Sequence, residues 1–407
     1  MNCMRRVVLA IVLVTLVFVF PSVSGADEFK LIPSIAVREE YNDNIFYSYH
    51  DEVDDWITTV SPGLELIERT EQLDLNLSAT VSPIFYADHS DWDDVDQNYG
   101  ATGAYKITPL LGVNANALYD VSNRPDRDIE TTGMVESVDE RKRQDYGFGV
   151  DYQLTEIAAV ALSFGYLRDD WDSNDFDRQD LKAPTANVGF TYNLSQWWDS
   201  TISRLNFGFG RYEYETSDTD NYFGSIGVQH WFSETVNLLV DVGARYTDAD
   251  FDRRELVFVP PSSIQVRTVG DNNSDFGGVG QAILEIQGEL TRGSIRIAHD
   301  IRPASGEGTV LQRTDVVLNI SRRFAERSVI AISGGYYKNK ADSDEFSFRE
   351  TDEDTFFIRP RIRWKFFENY TLEAGYNFSY MDDRVEKQDY RRNLVYLQVA
   401  YGLPLFE

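Results

Sequence analysis

Cysteine is almost missing from this 407-residue chain: the one copy is Cys3, inside an apolar leader. Without that leader no thiol remains, which excludes a disulfide framework and a cysteine-based zinc site. Long hydrophobic runs are missing too. The longest, Val7–Phe20, follows Arg5 and Arg6 and precedes the small residues Val23-Ser24-Gly25, the order of a secretory signal. Residues 1–25 are therefore expected to be a signal peptide and residues 26–407 one domain. A run that short does not span a bilayer as a helix, so any membrane crossing has to be made by strands. Positive charge is scarce. There are 38 Lys and Arg against 67 Asp and Glu, a formal charge of −29, or −31 once Arg5 and Arg6 leave. Such a balance excludes nucleic acid as a partner, because phosphate binding needs basic patches.

What the chain does have is alternation. From Phe29 onward about eighteen segments repeat an apolar residue at every second position, and none shows a helical period. In Leu73–Ala87 the positions Leu73, Leu75, Leu77, Ala79, Val81, Pro83 and Phe85 are apolar, with polar neighbours between them. Fifteen residues of this pattern exceed what a soluble strand needs and suffice to cross a bilayer at a tilt. Connections alternate in length. Polar loops near 88–97, 122–143, 169–181, 216–221, 247–274, 303–310, 340–354 and 382–389 are separated by tight turns near Pro109, Glu156, Gln196, Glu234, Arg292, Glu326 and Glu368. That rhythm predicts an all-β, antiparallel up-and-down transmembrane β-barrel of about 18 strands, with long extracellular loops and short periplasmic turns. The last segment, Leu394–Phe406, then closes the barrel on Leu31–Tyr41 rather than leaving an open edge. It resembles a C-terminal signal for the barrel-assembly machinery, although Phe406 lies out of the apolar frame and Glu407 follows it.

Aromatic residues fall at both ends of the strands, as in the two interfacial girdles of an outer-membrane barrel. Trp197, Trp198, Trp231, Phe232, Phe366, Phe367 and Tyr370 mark the turn end. Trp56, Tyr86, Tyr119, Tyr166, Tyr212, Tyr246, Phe356 and Tyr380 mark the loop end. Outer-membrane lipid and lipopolysaccharide are the partners this implies.

The run Arg38–Ser48 (REEYNDNIFYS), followed by Asp55-Trp56-Ile57 and Val60-Ser61-Pro62-Gly63-Leu64, resembles the N-terminal hairpin of the putative β-barrel porin 2 family. The resemblance implies a Gram-negative outer-membrane location and a pore-like role. Members often accompany exopolysaccharide or capsule export systems, so it also implies a polysaccharide as cargo. It brings no catalytic residues and no cofactor.

If Phe356, Ile358, Pro360, Ile362, Trp364 and Phe366 face lipid, then Arg359, Arg361, Arg363 and Lys365 form a basic ladder inside. Small or uncharged residues flank it: Ala331, Ser333 and Gly335 on one side, Gly375, Asn377 and Ser379 on the other. Such a ladder favours passage of a small anionic solute, and Arg296, Arg302 and Arg323 are placed to extend it. The plain alternative is that these cations pair with inward acids such as Glu373, Glu285, Asp300 and Asp241. No metal site is expected. Asp169–Asp180 fails as a calcium loop, with Asp175 where Gly belongs and Leu181 where Glu belongs, counting from Asp170. Nor is an enzyme expected: His50, His89, His230 and His299 have no visible partner in Ser225 or Ser333, and no G-x-S-x-G is present. The rival to a pore is a plugged surface barrel that binds through acidic loops, with residues 247–274 the segment to fold inward or stand above the membrane.

Overall fold

The structure, a computed structural model, describes residues 28–135, 137–173, 178–259, 263–342, 345–346 and 350–405. The expected leader with Cys3, and Phe406 and Glu407 at the other end, lie outside the described residues. Eighteen antiparallel strands form one sheet: β1 Glu28–Asn42, β2 Asp55–Arg69, β3 Leu73–Tyr86, β4 Asp94–Thr108, β5 Leu111–Ser122, β6 Glu140–Thr155, β7 Ala158–Asp172, β8 Leu181–Asn193, β9 Thr201–Glu213, β10 Ser217–Ser233, β11 Val236–Val259, β12 Ser263–Gln287, β13 Thr291–Ala304, β14 Thr309–Ala325, β15 Ser328–Ala341, β16 Thr351–Phe367, β17 Tyr370–Asp383 and β18 Gln388–Gly402. Each strand pairs with its chain neighbours, and β18 pairs with β1 from Ser34↔Gly402 to Asn42↔Leu394. Beyond the strand, Leu403 N–H donates to Pro33 O and Leu405 N–H to Leu31 O. The sheet is a closed barrel without a free seam at its termini.

The alternation sorts side chains as a barrel wall in lipid requires. Val395, Leu397 and Val399 on β18 are exposed outside, while Leu394 and Tyr396 in the alternate frame are buried inside. On β10 and β11 the outward Ile226 faces Leu205 and Val242 across its two neighbours, and Ile226 and Val242 are 63% and 57% exposed. Bare aliphatics in such numbers are stable only against hydrocarbon. Ile226→Arg is accordingly expected to cost roughly 2–4 kcal/mol in vesicles, the scale for a cation at the midplane of a barrel wall. Chemical unfolding from lipid vesicles measures it; an unchanged midpoint would mean that this face does not meet lipid.

At the short-turn end, register shifts occur at Lys106/Thr108, Gln153/Thr155, Trp231/Ser233, Arg323/Ala325 and Lys365/Phe367. Each bulge increases the local twist and lets a two-residue turn close the hairpin. The aromatic girdles are present, with Trp197 and Trp198 exposed at one end and Trp56, Tyr222, Tyr246 and Phe276 at the other. Two assignments are corrected. Tyr86 packs inside against Trp92, and Phe85 takes the outward place. Tyr212 is buried in an internal apolar cluster.

The 247–274 segment, whose centre 255–259 and 264–269 reads in the sequence as a hairpin that stands above the membrane or folds inward, is a hairpin and does not fold inward. Its residues continue β11 and β12 as one long hairpin, paired from Val236↔Ile286 to Val259↔Ser263. Because β10 stops at Ser217↔Phe251, the hairpin stands clear of the wall beyond that rung. Two other segments turn inward instead.

Candidate functional site: an arginine-lined slot between two inward segments

The first inward segment is the β5–β6 loop, residues 123–139. Its start is shaped locally: Asp128 O accepts from Thr132 N at 2.8 Å and from the Thr131 and Thr132 hydroxyls. This compact turn sends most of its charged side chains to the far wall and one back to β6. Arg124 Nη2 meets Glu40 of β1 at 2.9 Å, and Asp126 accepts from Arg392 of β18 at 2.8 Å. Asp128 pairs with Arg141 and, at 3.3 Å, with Arg143, both on β6. Glu130 pairs with Arg359 of β16, and its carbonyl accepts from the Tyr337 hydroxyl of β15. Thr132 O accepts from Asn339 Nδ2 at 3.2 Å. The loop thus reaches across the lumen and is tied to five strands of the wall.

Its charges are held by one another. Glu40 beside Arg124 pushes that guanidinium further above its ordinary value, against the opposing effect of burial. Burial opposes ionisation of Asp126, but Arg392 and Arg124 outweigh it and keep the carboxyl well below 3.8. Charges this buried persist only when paired. Gly133 closes the turn at φ +72°, and a Cβ there would overlap the Tyr337 ring. Gly133→Val is therefore expected to lift the loop from β15, costing roughly 1–3 kcal/mol locally. Trypsin cleavage after Arg127 should then appear in the folded barrel; continued protection would show that the turn tolerates the side chain.

The second inward segment is the end of the β13–β14 hairpin. β12 pairs with β13 only from Gly280↔His299 to Gln287↔Arg292. Past His299 the hairpin leaves β12 and seals against strands on another part of the wall. Ser305 Oγ donates to Asp169 of β7 at 2.5 Å. The Tyr214 hydroxyl donates to Thr309 O at 2.6 Å, and Ser217 Oγ to Gly308 O at 2.8 Å. Ile301, Ala304, Val310 and Leu311 pack there with Leu181, Tyr212, Phe251 and Phe346. The two segments meet where Arg313 Nη2 approaches Met134 Sδ at 3.7 Å.

Between them lies a cavity of about 920 Å³. Nine arginines and six aspartates line it, and no lysine does. The predicted ladder is only partly in it. Arg359 lines this cavity and is tied to Glu130. Arg361 sits lower, in a second cavity of about 500 Å³ with Glu285, Ser294, Asn319 and Ser333. Arg363 is paired with Glu373 at 2.7 Å. Lys365 is exposed near the turn end. Register puts Ala331 and Gly375 beside Arg361, so small residues flank it on both sides. Arg296, in the main cavity, bonds Asp315 at 2.9 Å; Arg323 lies at the turn end, outside both cavities. Asp241 meets Arg204 at 3.2 Å, and Glu285 accepts from Asn237 at 3.0 Å.

Among the described residues no group of three metal-binding side chains occurs. His230 bonds Thr201, His299 bonds Thr314, and Ser225 accepts from Asn206. Asp169, in the segment compared with a calcium loop, is committed to Arg143 and Ser305.

The loop was not found from the sequence, where 122–143 read as one polar connection among eight. A signal was present: Arg124 and Arg127 alternate with Asp126, Asp128 and Glu130, whereas the other long connections are mainly acidic.

Residues 25–141 match the family model described as putative beta-barrel porin 2. The match contains Arg38–Leu64, which carries the resemblance, and it extends through the whole inward loop. The chain is a closed 18-stranded β-barrel whose first five strands fall within that match. No curated protein sequence matches it. Among solved structures, it is similar to OccAB4 of Acinetobacter baumannii at 9% identity, covering 92% of this chain and 98% of that one, with a TM-score of 0.44. OpdO of Pseudomonas aeruginosa is similar at 12% identity, 93% and 98% coverage and a TM-score of 0.44. The ferric-catecholate import receptor Fiu of E. coli K12, in an open form, is similar at 7% identity, 91% and 81% coverage and a TM-score of 0.46.

Proposed function

We propose that the barrel is a pore that passes small anionic solutes across the outer membrane of a Gram-negative cell. The observation that carries this reading is the sign of the cavity. A chain with 67 acids and 38 bases lines the cavity between its two inward segments with nine arginines against six aspartates. Rows of arginine in a water-filled lumen lower the barrier to anions and raise it for cations. The volume, about 920 Å³, is in the range that holds one small molecule. A polysaccharide strand, the cargo implied by the family resemblance, would need both inward segments to withdraw together, and no feature of the slot favours that.

One observation favours the rival of a plugged barrel: the two segments touch at Met134 and Arg313. Planar bilayers decide between them. The purified protein should form discrete channels whose reversal potential in a KCl gradient moves toward that of chloride. An absence of channels would overturn the pore and leave a barrel that acts through its loops.

A further inference from the structure

We infer that Arg313, with Arg302 beside it, forms a subsite for a small carboxylate in the slot between the two inward segments; this rests on the pore reading and deepens it. Arg313 is an arginine with its partner missing. Its residue is 4% exposed, yet no carboxylate among the described residues lies within ion-pair reach of it. Its Nε donates to Asn339 Oδ1 at 2.7 Å, and its Nη2 has only the Met134 sulfur at 3.7 Å, a weak acceptor. A guanidinium so placed has lost water without gaining an anion, which is costly.

The acids that face it are committed or displaced. Asp300 is its cross-strand partner in register but approaches Arg302, at 3.9 Å. Asp315 is bonded to Arg296 at 2.9 Å, and Asp128 to Arg141 and Arg143. Glu353 stands across Asn339, one strand further on, and makes no ion pair with it. Among the charged side chains of β13 and β14 around Arg313, three guanidiniums (Arg296, Arg302, Arg313) against Asp300 and Asp315 leave one positive charge on this hairpin.

Arg302 is opposite Leu311, so it is the diagonal neighbour of Arg313 across β13–β14, within reach for long side chains. Both line the main cavity. With Nε fixed by Asn339, the two Nη groups of Arg313 present the end of a planar fork, which matches the two oxygens of one carboxylate. One surplus charge matches a monoanion better than a phosphate dianion.

Titration calorimetry of the full-length barrel in detergent tests this with gluconate, glucose and inorganic phosphate as probes. Gluconate and glucose are similar in size and differ in the carboxylate. Gluconate is expected to bind saturably and glucose not at all. Arg313→Met, which keeps an apolar chain beside Met134, should weaken gluconate by about ten-fold or more, the loss of a charge-assisted fork. Arg313→Lys, which keeps the charge without the fork, should recover only part, and Arg323→Met, at the turn end outside both cavities, should leave binding unchanged. Heat-modifiable migration on gels confirms that each variant is folded, and Arg302→Met gives a second test should Arg313→Met fail to assemble. Equal binding of phosphate and gluconate, or full binding by both methionine variants, overturns the subsite. Gluconate binding by a barrel that forms no channels would instead overturn the pore and leave the subsite standing.

Discussion

Asp126→Ala is expected to unlatch the β5–β6 loop and raise single-channel conductance several-fold. Its carboxylate sits between Arg392 at 2.8 Å and Arg124 at 3.3 Å, and the Arg392 side chain is 1% exposed. Removing the acid strands buried guanidiniums without a partner, a change that typically costs roughly 3–5 kcal/mol. The wall at Arg392 cannot yield, because β18 is laddered to β17 along its length and to β1 from Leu394 onward, so relief comes from water entering as the loop swings away. Heat-modifiable migration should therefore stay normal while conductance rises. An unchanged conductance would mean that the anchors at Asp128 and Glu130 hold the loop alone. The pH response has a definite sign. The folded pKa of Asp126 lies below its ordinary 3.8, so its contribution is complete above that value and is lost as pH falls through the lower one. Wild-type conductance is thus expected to stay flat from about pH 8 to about pH 4 and to rise only under stronger acid. A rise near neutrality would place the latch on another group.

Much of the wall was legible because lipid outside and water inside impose a strict period of two. The stretch Leu73–Phe85 and the closing pair Ile35–Tyr41 with Val395–Tyr401 follow it closely. The errors have a common cause. Tyr86 and Tyr212 are aromatic and near strand ends, but their frame is inward; Phe85 and Arg211 hold the outward positions. Loops are harder. A polar connection is equally at home in bulk water and in a water-filled lumen, so composition does not say which it enters. What separates 123–139 from the acidic connections is its interleaved signs, which find counter-charges on the inner wall at Glu40, Arg141, Arg359 and Arg392. The β13–β14 hairpin gives less warning still. Its departure from β12 is visible only once the ladder is seen to stop at Gly280↔His299.

Charge reversal along β16 should have the largest effect on selectivity. Arg359, Arg361 and Arg363 to Glu changes the lumen by six charges in one column, between the main cavity and the turn end. At a separation near 4 Å and an effective dielectric of 20, each unit charge is worth about 4 kcal/mol to a passing ion; screening over a Debye length of about 8 Å at physiological salt leaves a fraction of that at the lumen axis. A few tenths of a kcal/mol per charge, summed over six, is enough to invert the preference from anion to cation. The three positions are unequal, and single variants should show it. Arg361 has no ion-pair partner among the described residues and is flanked by Ala331 and Gly375, so its reversal acts on selectivity alone. Arg363→Glu also sets a carboxylate against Glu373, its present partner, and Arg359→Glu sets one against Glu130 and repels the loop. Reversal at Arg359 should therefore raise conductance as well as shift the reversal potential, whereas reversal at Arg361 should shift the potential at nearly constant conductance. If all three leave the potential unchanged, these arginines serve the wall and its loop, and the ion path lies elsewhere in the barrel.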